Sequence, residues 1–347
     1  EYVECTEDDL GESQTDPRRE VMALYASGLE ILQSFVDDLR RGVRPRYSRL
    51  KRLCLRIIQS ESKYQNLLLA LIHVYGLKNR LSTHMLNTAL LSIIFARRIG
   101  LSKAEILDLG MTAFYQNLAW VIYGRLDEGA GDFSSLQDIE KFRIKNQDSI
   151  GEIRNRVAHL LLMIGGFNSR LINRLIVAYE TQVVDTVTDE LYRGNLDLNL
   201  LTDIVKISGS YNFLVMQDPD GSEPRLEQVM KQITRQNTAV HPFIAQIFES
   251  VFGTFPIGTL VELSDGNLGV VFDLPANLQQ SARPRVKLVA DRTGQPLRGG
   301  DIVDLSEKDP RGGYLLSIEN THEGSSFAHS PAGFFFGAET LLPGSVR

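Results

Sequence analysis

The fold class that the sequence predicts is mainly α: a helical bundle with an N-terminal helical pair and a small C-terminal β appendage. Three observations carry this. Apolar residues recur at helical spacing from Val21 to Phe252. Start and stop residues punctuate that pattern, among them the capping-box run Ser102-Lys-Ala-Glu105 and the stop Gly100. From Pro256 onward the composition turns to short β-rich runs separated by Gly-containing turns.

Taken in order, residues 1–17 read as a flexible acidic tail closed by Asp16-Pro17. Residues 18–78 form the helical pair. Its first helix carries Val21, Leu24, Leu32, Phe35 and Leu39 and ends at Gly42; the second runs from Leu50 toward Tyr75 and Gly76. Apolar stripes on a pair of this kind suggest self-association, so a homodimer through residues 18–75 is expected. The helical core spans 79–254. Its helices run over Ser82–Ile99, from Ser102 through Leu118, from Ser149 to Gly165, from Asn168 past Tyr179, from about Leu198 to Met216, over Leu226–Thr234 and over Pro242–Phe252. In the β subdomain, 255–306, a hairpin turns at Asp265-Gly266, and Arg285–Val289 and Ile302–Leu305 add two strands. Residues 307–347, rich in Gly, Ser and Pro, read as a tail.

Composition narrows the functional classes. The chain has 347 residues, 43% of them hydrophobic, enough for a sizeable core. Its two cysteines, Cys5 and Cys54, form no disulfide framework and no Cys-based zinc site, which fits a reducing, cytoplasmic setting. A net charge of -6 argues against a general binder of nucleic-acid polymers. No apolar run reaches the length of a membrane span. Phosphate-binding Gly-rich loops, Ser-His-Asp order and a Cys nucleophile are all missing, and no cofactor is expected.

The stretch that organises the reading runs from His84 to Trp120. It begins His84-Met-Leu-Asn87-Thr-Ala89. After Leu109-Gly-Met-Thr-Ala-Phe-Tyr115 it continues Gln116-Asn117-Leu118-Ala119-Trp120. Further on stand Asn155, Ala178-Tyr179-Glu180 and Ser208-Gly209-Ser210-Tyr211-Asn212. The appendage opens Phe255-Pro-Ile-Gly-Thr-Leu-Val-Glu-Leu-Ser-Asp-Gly-Asn-Leu-Gly-Val-Val271.

Over roughly residues 60–305 this order of features resembles an HD-GYP domain, a helical phosphodiesterase class of the HD superfamily that hydrolyses cyclic di-GMP. The resemblance implies an HD-type bundle around a metal site. His84 matches the first histidine of that site. The His-Asp-x-Gly-Lys signature is replaced by Gln116, Asn117, Ala119 and Trp120. A second histidine has Asn155 as its closest match, with His159 one turn later as the alternative. Ala178-Tyr179-Glu180 stands for His-His-Glu, and Gly209 stands for the aspartate of Ala-Asp-x-Tyr-Asp. Imidazole and carboxylate bind divalent metals, and a carboxylate bridges two of them; amides offer only neutral oxygens. One imidazole does not hold a multi-metal centre. The resemblance therefore implies a cavity lined by degenerate positions, His84, Gln116, Asn117, Trp120, Asn155, Tyr179, Glu180 and Gly209, with no catalytic residue and no metal.

The residues also have plainer readings. His84 reads as a buried, hydrogen-bonded histidine, Gln116 and Asn117 as hydrogen-bonding amides, and Trp120 and Tyr179 as packing. The expected function is a catalytically inactive HD-GYP-like protein in bacterial signal transduction, a scaffold or adaptor with protein partners. One alternative is a cyclic di-GMP receptor that does not hydrolyse its ligand, with Arg125, Lys141, Arg143, Lys145, Arg154 and Arg156 near the phosphates. The other is a divergent metal-dependent phosphodiesterase drawing on Glu180, Asp185, Asp189 and Glu190.

Overall fold

The computed structural model describes residues 16–73, 81–115, 141, 145, 150–165, 169–182, 198–216, 225–236, 240–274, 277–297, 300–323 and 331–336. Asp16 starts the first helix, α1 (Pro17–Arg40): its carboxylate accepts the Arg18 amide at 3.0 Å, and Pro17 occupies a position that needs no donor. Pro17, expected to close a tail, is thus the first residue of a helix. Gly42, at φ 73°, ends α1. α2 (Tyr47–Ile72) folds back along it. Arg56 reaches Ser27, and the Tyr64 hydroxyl donates to Glu20 at 3.1 Å. The later residue of α2 meets the earlier residue of α1, so the pair is antiparallel. His73 ends α2; Tyr75 and Gly76 lie outside the described residues.

The centre of the bundle is α3 (Leu81–Arg98), buried at every position from Leu81 to Ala96. α1, α2, α4 (Lys103–Ala113), α7 (Leu200–Met216) and α9 (Pro242–Phe252) pack around it. Each buried Leu, Ile or Phe contributes roughly 1.5–3 kcal/mol of transfer free energy, and α3 supplies many of them. α4 begins with the expected capping box: the Glu105 amide donates to Ser102 Oγ at 3.3 Å and the Ser102 amide to Glu105 Oε2 at 2.8 Å. At Gly110 the helices come so close that a Cβ would stand 2.7 Å from Cys54 Sγ and 2.9 Å from Ile93 Cδ1. α6 (Ser169–Glu180) packs on α4 and carries α5 (Ile150–Gly165) outside it, while α8 (Leu226–Gln236) packs on α7.

The apolar stripes of the helical pair are covered within the chain. Val21, Leu24, Leu32 and Phe35 on α1, and Leu50, Leu53 and Ile57 on α2, are buried in the same core as α3 and α4. Val43 and Leu55 are the large apolar residues of 18–73 that stay exposed.

The sheet is antiparallel, in the order β4-β3-β2-β1-β5, with β1 (Leu260–Leu263), β2 (Leu268–Asp273), β3 (Arg285–Ala290), β4 (Ile302–Asp304) and β5 (Ile318–His322). Gly266, at φ 83°, turns the β1–β2 hairpin, as its sequence requires. The reading of residues 307–347 as tail is corrected at two places. β5 pairs with β1 along its other edge. A short α10 (Pro331–Phe336) then returns to α2 and stacks Phe335 on Phe272, ring centroids 6.1 Å apart. Gly- and Ser-rich composition hid this, because a two-sided edge strand and one turn of helix give too few periods to read. Sheet and helices share one core, and Asn66 on α2 donates to Asp273 on β2 at 2.7 Å.

Candidate functional site

α3 and α7 are both apolar helices interrupted by polar residues, and they meet along a seam bridged by His84 and Asn212. Ser82, Thr83, His84, Asn87, Thr88 and Ser92 are buried on α3; Thr202, Asp203, Lys206, Ser208 and Asn212 are buried on α7. His84 is 3% exposed, and its Nδ1–H donates to Asn212 Oδ1 at 2.9 Å. Burial pushes the imidazole down to about 4, against the pull of the Asn212 bond, so the ring is neutral at physiological pH. Three positions along α3, Asn87 Oδ1 accepts the buried Tyr25 hydroxyl of α1 at 2.7 Å. Thr83 Oγ1, Ser208 Oγ and Asn212 Nδ2 are buried without a hydrogen-bond partner among the described residues.

The neighbouring residue on α7 holds a second histidine. Tyr211 donates its hydroxyl to His73 Nε2 at 3.1 Å, and His73 Nδ1–H donates to the Ile257 carbonyl at 2.8 Å. That bridge ties the end of α2, the middle of α7 and the approach to β1 together. Burial lowers His73 to about 4 as well.

The other expected positions are spread apart. Gly209 is buried on α7, one turn before Asn212. Glu180 is buried, but its Oε2 accepts the Asn199 amide at 2.9 Å and the Thr202 hydroxyl at 2.6 Å, so it caps the N-terminus of α7. Thr202 and Asn212 are ten residues apart on one helix, about 15 Å at 1.5 Å per residue. Metals of a two-metal site stand about 4 Å apart. Glu180 is thus a helix cap and no neighbour of His84. Asn155 and His159 are exposed on α5, outside the seam. Tyr179 is half-buried under the Arg154 guanidinium, 4.9 Å from its ring centroid. Gln116, Asn117 and Trp120 lie outside the described residues, as do Arg125, Arg143, Asp185, Asp189 and Glu190. Of the remaining cations assigned to phosphate, Arg156 pairs with Glu152 and Lys141 and Lys145 are exposed.

Three buried acids, Glu61, Asp108 and Asp203, lie outside the positions that the sequence singled out. Asp108 on α4 accepts Arg174 Nε from α6 at 3.0 Å, and Arg174 also reaches the Tyr47 hydroxyl. Asp203, 4% exposed, is pushed up to about 6 by burial, with Lys206 and the His241 amide opposing the rise and Glu180 adding to it. The signal was a charged residue inside an apolar helix face. Arg174, 66 residues from Asp108, cannot be read from that. Among the described residues no group of three or more His, Cys, Asp or Glu gathers as a metal set, and no helix is long and apolar enough to cross a membrane. Set against family models, curated proteins and solved structures, the chain gives no match.

Proposed function

We propose that the chain is a catalytically inactive HD-GYP-like protein that acts by binding, as a scaffold or adaptor in bacterial signalling. The observation that carries this reading is the His84–Asn212 pair. Where a metal centre of that class needs anionic oxygens beside its first histidine, His84 meets a neutral amide. The only carboxylate on α7 is Asp203. It stands nine residues from Asn212, about 13 Å along the helix. A pair of dications beside His84 would be buried with little charge to offset it, at a cost of several kcal/mol per ion. Packing dominates the seam instead: two apolar helices meet there, and His84 and Asn212 match one donor to one acceptor across it.

The test is turnover of cyclic di-GMP by the purified full chain supplied with manganous or ferrous ion. No linear product above the buffer control is expected. Turnover that disappears in His84→Ala would overturn the proposal in favour of a divergent phosphodiesterase.

A further inference from the structure

α2 breaks in its middle. Tyr64 leaves helical geometry, at φ -130° and ψ 33°, although no Pro or Gly lies between Tyr47 and Ile72. Sharp bends without those residues arise where a side chain enters the hydrogen-bond ladder. Here Arg97, from the end of α3, enters: it donates to the Ile58 carbonyl at 2.9 Å and pairs with Glu61. Ser62 turns back onto the Gln59 carbonyl at 2.8 Å. The bend opens a cleft of about 390 Å³, lined by residues 61–67 and Arg97. That volume lies within the roughly 300–1,000 Å³ of small-molecule sites.

Charge decides what would enter. The Glu61 carboxylate is buried and committed to Arg97, and Arg98 adds positive potential at it. Lys63 is exposed on the cleft wall, and no ion pair engages it among the described residues. Glu20 and Asp273 stand outside the lining, where they accept from Tyr64 and from Asn66 and Arg285, and the lining itself sets two cations, Lys63 and Arg97, against the one carboxylate of Glu61. The cleft therefore offers Lys63, the remaining guanidinium donors of Arg97, and the carboxamide of Gln65.

We propose that the cleft at the α2 break binds a small anion of the phosphate or carboxylate class. Such a ligand would sit at the junction of α2, α3 and β2, apart from the His84 seam, and the assignment does not depend on the function proposed above.

Isothermal titration of the full chain with inorganic phosphate and, separately, with citrate, at constant ionic strength, tests it. Saturable heat with a dissociation constant below about 1 mM is expected for at least one of them, and the one that binds names the source chemistry. Lys63→Glu and Gln65→Glu, both on the cleft wall and checked by circular dichroism, should each weaken binding about fivefold or more. No saturable heat up to about 10 mM for either anion overturns the assignment. A smaller effect of the two variants places any bound anion elsewhere and overturns it equally.

Discussion

His84 donates its Nδ1 proton to Asn212 across the α3–α7 interface, a bond 2.9 Å long between two buried helices. Removing one partner should cost more than removing both, because a lone buried donor keeps its desolvation penalty. Asn212→Leu should destabilise the chain by about 1–3 kcal/mol. His84→Leu combined with Asn212→Leu should recover part of that loss. A urea double-mutant cycle measures the coupling; additive effects would mean that the bond contributes nothing.

The Asp108–Arg174 pair follows the same logic with charge. Both side chains are buried, and Tyr47 completes the cluster. Arg174→Met strands a buried carboxylate and should cost about 3–5 kcal/mol. Asp108→Asn with Arg174→Met should cost less. Chemical denaturation of the three variants ranks them, and equal losses in the single and double variants would contradict this account.

Stability should depend on pH through groups that pull in opposite directions. His84 and His73 are held at about 4, below the usual 6.5. Their contribution is present above pH 6.5 and is lost as the pH falls toward 4. Asp203 is held at about 6, above its usual 3.8. Its contribution is present below pH 3.8 and is lost as the pH rises through 6. Two units correspond to at most about 3 kcal/mol. Asp203→Asn should therefore raise the melting temperature at pH 7.5 and steepen the rise in stability from pH 4 to 6.5. An unchanged pH profile in that variant would show that Asp203 ionises normally.

How much of this was legible in the sequence varies element by element. The capping box at Ser102 and Glu105, the Asp265-Gly266 hairpin and the bounds of α9 could be read because each signal lies within a few residues. α10 could not, because Phe334, Phe335 and Phe336 find Phe272 and α2 only in three dimensions. The same limit applied to the site. The polar positions of α3 were visible, but pairing His84 with Asn212 and Asn87 with Tyr25 needed the packed bundle. Glu180 looked like a remnant of a metal site, and its hydrogen bonds to Asn199 and Thr202 show a helix cap.

If the chain beyond Asp309 were a tail, changing Phe335 would be silent. Its ring is buried and stacked on Phe272. Phe335→Ala should destabilise the fold by about 3–5 kcal/mol, and thermal denaturation reads the loss directly. A wild-type melting temperature would return residues 331–336 to the status of a tail.

The central claim is that the helical framework holds no metal centre at His84. Elemental analysis tests this most directly, on full chain purified without chelator from cells grown with added iron, manganese and zinc. The account predicts well under one equivalent of any of these metals per chain, unchanged in His84→Ala. About two equivalents per chain, lost in His84→Ala, would contradict it.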